Sequence, residues 1–200
     1  MRCPAGRRTL GRMDEPLGHQ IPVQPAGEYA TIDISRQNAV LAALHGPDPA
    51  PAVAAVLAAP QRYAPPVLAA AAAELFVAGR RDEAVFWFYA AQLRARFDAN
   101  RAADPTAGAA VAALTRHYGP SINRHAFADP AGLRAVVERV VGWDRATPHD
   151  YDHRWINLHG MGVFTGATAL SRPAAQWGAI AEGTREEYLR GLEEALRDLP

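Results

Sequence analysis

Residues 86–89 read Phe-Trp-Phe-Tyr, inside the stretch GRRDEAVFWFYAAQLR (79–94). No other feature limits the fold so sharply. The residues around the aromatics are good helix formers. Asp82 can cap the helix, and Glu83 falls in its first turn, where the helix dipole favours an acid. Successive helical residues turn by about 100°, so four adjacent aromatics point around most of the circumference. Such a helix has no fully polar face. It must be covered on several sides, by its own domain or by another chain.

The rest of the chain is punctuated by Pro, Gly and Asp into further helices. RQNAVLAAL, capped by Asp33 or Ser35, stops at His45-Gly46-Pro47. AVAAVLAA follows Asp48 and ends at Pro60. VLAAAAAELFVA runs from Pro65-Pro66 to Gly79. AVAALTRHY follows Asp104-Pro105 and ends at Gly119, and LRAVVERVVGW follows Asp129-Pro130. Thr184 is the expected cap of a closing helix with Tyr188, Leu189, Leu192, Leu196 and Leu199 on one face. Strand-like alternation is nearly absent. The expectation is an all-α fold, a helical bundle or a degenerate helical-repeat array. An irregular His/Gly-rich segment, residues 144–183, precedes the C-terminal helix and contains one short helix at AAQWGAIAE. Residues 1–28 are rich in Pro, Gly and polar groups and predict a disordered leader, with residues 29–200 as a single domain. Met13 is a second candidate start.

The apolar fraction is 49%, but alanine supplies much of it and fills a core poorly. Leu, Val, Phe, Trp and Tyr must therefore carry the packing. The formal charge is zero, with 21 basic and 21 acidic residues, which gives no argument for a nucleic-acid or membrane partner. Every basic residue is arginine, a usage that fits a GC-rich bacterial genome and is not evidence of phosphate recognition. Arg2, Arg7, Arg8 and Arg12 give the first twelve residues a charge of +4, leaving the remainder mildly acidic. One cysteine, Cys3, excludes an internal disulfide and suits a reducing compartment. No secretory signal or apolar span is present, so the expected location is cytoplasmic.

The spacing of small and aromatic residues over about 66–96 resembles one Sel1-like or tetratricopeptide-like repeat. The matching positions are Ala72 and Leu75 on the first helix, Gly79 at the turn, then Ala84, Phe88 and Ala91 on the second. Ala84-x-x-Trp87-x-x-Ala90-Ala91 is especially similar to the second Sel1 helix. Arg94 and Arg96 depart from the Gly and Pro that these families tend to place there. A shift of 33 residues sets Gly79 on Gly46 but Ala84 on Pro51, so a second copy is not evident. These families bind proteins, which implies a protein partner and no cofactor. Arg80, Arg81, Trp87 and Arg94 are the residues such a hairpin would offer to it, in a regulatory or toxin-neutralising role.

Nucleophilic chemistry has little to work with. Ser35, Ser121 and Ser171 are the only serines, and none sits in a Gly-x-Ser-x-Gly elbow. The glycines of GMGVFTG (160–166) miss the dinucleotide fingerprint by one residue and follow no strand. The alternative to a binding protein rests on HDYDHRWINLHG (149–160). His149, His153 and His159 are candidate ligands for a metal-dependent hydrolase. Pro148 and the polar residues around it favour a loop there, with Trp143, Tyr151, Trp155 and Leu158 docking the segment on the helices.

Overall fold

A computed structural model describes residues 27–165 and 169–198. The expected leader lies outside these residues except for Gly27 and Glu28, which open a 3-10 turn, Gly27–Thr31, whose Tyr29 is buried. Helices α1 (Ser35–Leu44), α2 (Ala50–Ala58), α3 (Pro65–Val77), α4 (Arg81–Arg101), α5 (Ala109–Ala126), α6 (Pro130–Ala146), the four-residue α7 (Gly162–Thr165) and α8 (Trp177–Arg197) follow in order. Among the described residues there is no strand, only one antiparallel bridge between Ala102 and Ser171. The fold is all-α.

α4 is the axis of the bundle. Eight consecutive residues, 88–95, are buried. That is more than two turns, so no face of the helix there meets water. Its aromatics divide between neighbours. Phe86 and Trp87 meet Trp143 of α6 edge-on, at ring-centre distances of 6.0 and 5.3 Å. Tyr89 gives its hydroxyl hydrogen to Asn123 of α5. Phe88 lies against Gly119 of α5, where an added Cβ would stand 2.9 Å from the ring. α8 covers the remaining side with Tyr188 and Leu192.

α3 is the other inner helix. Val67, Leu68 and Ala69 to Ala72 are all at 1% exposure or less. A run of alanines packs well here because small side chains let helix axes approach. Gly79, at φ +83°, turns the chain back into α4. The amide of Arg80 bonds to the Leu75 carbonyl and that of Gly79 to Phe76, closing the end of α3 as a glycine in the left-handed region allows.

The helix ends meet one expectation and correct others. Asp129 accepts from the Gly132 amide and caps α6. α5 does not stop at Gly119 but runs through Pro120 to Ala126. The lost backbone bond is offset by burial of Ile122 and Ala126. α8 begins at Trp177, absorbing the expected short helix. Thr184 lies inside it, buried, with its hydroxyl donating to the Ile180 carbonyl. α4 begins at Arg81, with Asp82 inside its first turn and no side-chain cap. The stretch after α6 is a 3-10 helix, His153–His159, laid against the end of α4.

Candidate functional site

The two ends of α4 carry the two surfaces of interest. At its start is the hairpin tip. Arg80 is exposed and pairs with Glu83 through two bonds, of 2.8 and 2.6 Å. Arg81 is exposed, its guanidinium 5.5 Å from the Phe76 ring centre, and pairs with no acid among the described residues. Beside them Val77 is 81% exposed, the most exposed large hydrophobic residue described. It borders a groove of about 250 Å³ between α2 and the end of α3, walled by Ala50, Val53, Ala54, Leu75 and Ala78. Trp87 is half-buried and lies away from this groove, against Phe86 and Trp143.

Arg94 is not on the surface. Its exposure is 0%. It lies two turns along from Trp87, on a stretch of α4 that is covered all round, and its guanidinium is 4.1 Å from the Trp143 ring centre. Nε donates to Asp144 at 3.1 Å, and Nη2 reaches the carbonyls of Thr147 and Pro148. A residue so enclosed holds the fold and touches no partner.

Arg94 belongs to a buried charged network at the far end of α4. Among the described residues the buried charged ones are Arg94, Asp98, Arg101, Asp144 and Arg185. Asp144 receives Arg94 and His149 on one oxygen and two bonds from Arg185 on the other, of 2.9 and 2.7 Å. Burial alone would raise its pKa, but the bonds from His149 and Arg185 and the charge of Arg94 outweigh this and hold it at about 2. Asp98 receives Arg101, the Tyr151 hydroxyl and the Trp155 indole N–H. There burial prevails, and the carboxyl sits above its ordinary value. Glu182, half exposed, accepts from both Arg185 and Arg145. Four arginines therefore share three carboxylates.

The histidines of the 149–160 stretch diverge. His149 Nε2 pairs with Asp144 at 2.9 Å. His153 Nε2 pairs with Ser171 Oγ at 2.8 Å and meets the Trp177 ring edge-on. His159 is exposed, against the Trp155 ring. Among the described residues no group of three or more His, Cys, Asp or Glu is placed to hold a metal ion. Burial, then the nearby Arg101 charge, lowers the His153 pKa to about 4, so this imidazole is neutral near pH 7. Tyr151 and Trp155 do dock the segment, through Asp98 at their polar ends and through the small core around Ala95, Ala102 and Ile156. Asp152 accepts from the amide and side chain of Arg154, which also reaches Thr31.

Above the network lies an open cleft of about 360 Å³, between the end of α4, the turn after α6 and the start of α8. Arg101, Arg145, His149, Arg185 and the Asp144 carboxylate, which Arg94, Arg185 and His149 already engage, reach it, with Phe97, Pro148 and Trp177 as apolar walls. The sequence holds one local signal for this site. Arg94, Asp98 and Arg101 are spaced by four and three residues, on one face of a helix otherwise filled with apolar residues. Asp144 and Arg185 gave no such sign. No family model, no curated protein and no solved structure matches this chain.

Proposed function

We propose that this chain is a helical protein-interaction module that takes a protein partner at the tip of the α3–α4 hairpin. One observation carries the reading: Val77 is 81% exposed at the edge of an apolar groove. An apolar side chain left in water costs free energy that a partner's apolar surface recovers. The rim adds a preference. Arg80 and Glu83 form an exposed pair of the kind worth little in isolation, so Arg80 is free to exchange its acid. Among the described residues Arg81 has no acid to give up. The partner that fits presents an apolar segment bordered by a carboxylate. No helix among the described residues is long and apolar enough to cross a membrane.

The test is a photo-cross-linking amino acid at position 77, compared with one at exposed Arg116 on α5, both in the source cell. The reading expects one discrete adduct at 77 that is absent at 116. It also expects the identified partner, once purified, to bind the wild-type chain and to lose affinity for Val77→Asp. Equal labelling at the two positions, or unchanged affinity for Val77→Asp, removes the reading.

A further inference from the structure

We propose that the cleft over Arg101, His149 and Arg185 binds a small organic anion, with a carboxylate or phosphate head on Arg101 and His149 and an apolar body against Trp177 and Pro148. This site is separate from the hairpin tip. Twenty residues of helix divide the two ends of α4, roughly 30 Å at 1.5 Å per residue.

Arg101 is the central observation. It is 5% exposed, yet its Nε is buried with no hydrogen-bond partner. A buried donor without an acceptor is costly and rare. The rest of the group is held in place: Asp98 takes Nη2, and the Phe97 and Trp177 ring centres lie 4.4 and 5.1 Å from Cζ. A guanidinium fixed in this way, with its Nε–H buried and unpaired, is prepared for an oxyanion.

His149 adds a second unspent atom. Its Nε2 faces the Asp144 carboxylate, which can only accept, so the ring proton sits on Nε2. Nδ1 is then buried with no partner. A head group that carries an O–H, as a hydrogen phosphate does, donates it to this Nδ1. Tyr151 stacks on the ring and Phe97 meets its edge, so it too is held in orientation.

Around the cleft Arg94, Arg101, Arg145 and Arg185 pair with Asp98, Asp144 and Glu182, and Glu186 adds its charge at the exposed Arg145. A volume of about 360 Å³ is at the small end for ligand sites and excludes large cofactors. Trp177 and Pro148 give the wall a flat apolar character.

The experiment uses the full chain and four probes: phenyl phosphate, benzoate, inorganic phosphate and neutral benzyl alcohol. Binding is read by calorimetry and by tryptophan fluorescence, since Trp177 lines the cleft. The proposal expects saturable binding of phenyl phosphate or benzoate, whichever is tighter naming the head group, and none of benzyl alcohol. Inorganic phosphate should bind more weakly than phenyl phosphate, because it lacks the apolar body. Two variants locate the site. Arg101→Gln removes the donor and should weaken binding by roughly tenfold or more. Gly178→Phe plugs the mouth without touching the network, because Gly178 is exposed and an added Cβ there meets nothing within 4 Å. It should keep the wild-type melting temperature and lose binding. Failure of both anions to saturate at millimolar concentration overturns the proposal. So does binding that survives in a folded Gly178→Phe protein, or equal binding of benzyl alcohol.

Discussion

Replacing Asp144 by asparagine removes one negative charge and almost no volume. The carboxylate it replaces is 3% exposed and meets Arg94, Arg185 and His149 at 3.1 Å or less. With it gone, Arg94 keeps only the carbonyls of Thr147 and Pro148, and Arg185 keeps only the half-exposed Glu182. One buried guanidinium, Arg94, then has no counter-ion, and Arg185 has lost one of its two. Breaking a buried ion pair from one side costs about 3–5 kcal/mol, a large share of a domain's stability. For a domain of this size that lowers Tm by roughly 6–20 °C. Urea unfolding of the wild-type and Asp144→Asn proteins gives the difference directly, provided the two slopes agree. A pH series adds a second check. Asp144 has a folded pKa of about 2, below its unfolded value of ~3.9. Its contribution is therefore present above pH ~4 and lost as pH falls toward 2, and is worth at most ~2.6 kcal/mol. The Asn variant should lack that part of the acid decline. A cost below ~1 kcal/mol, with an unchanged acid limb, would refute the view that Asp144 holds this end of the bundle together.

Further outcomes follow from the same packing. Phe88→Ala should cost about 3–5 kcal/mol by chemical denaturation, because the ring is fully buried between α4 and α5. Gly119→Ala should cost about 1–3 kcal/mol, since its Cβ would meet Phe88 at 2.9 Å and Asn123 at 3.0 Å. Gly142→Ala, in an exposed turn of α6 with nothing within 4 Å, should instead be neutral or stabilise by up to ~1 kcal/mol in the same assay. His153 has a folded pKa of about 4, below its ordinary value of ~6.5. Its contribution is full above pH ~6.5 and is lost as pH falls through 4. His153→Gln should flatten the stability profile across that window, and an unchanged profile would count against the burial of this imidazole.

Much of the bundle was legible because helix signals are local. Gly79 and Asp129 act as expected, and Phe88 and Leu75 are both buried. Local signals also mislead where tertiary burial decides. Gly119-Pro120 looks like a stop, yet α5 continues because Ile122 and Ala126 have somewhere to go. Thr184 looks like a cap because a threonine hydroxyl serves equally well inside a helix, bonded four residues back. The site was harder. Asp144 and Arg185 stand 41 residues apart, and Asp98 and Trp155 stand 57 apart, so no local pattern joins them. Arg94 looked like a surface arginine because charged residues are rarely buried without a partner, and its partner Asp144 lies 50 residues away. The three histidines share one stretch of sequence, but His149 precedes the 3-10 helix and pairs with Asp144, while His153 and His159 on that helix meet Ser171 and Trp155.

The functional account stands on the hairpin tip acting as the contact surface, with Arg94 as an internal strut. The affinity of the partner captured at position 77 separates those roles. It should be measured against wild type, Val77→Asp and Arg94→Met at a temperature where all three are folded. The account predicts that Val77→Asp, which buries a charge in an apolar contact, weakens binding by roughly a hundredfold, while Arg94→Met melts earlier but binds as wild type. Loss of affinity in folded Arg94→Met together with wild-type affinity in Val77→Asp would contradict it.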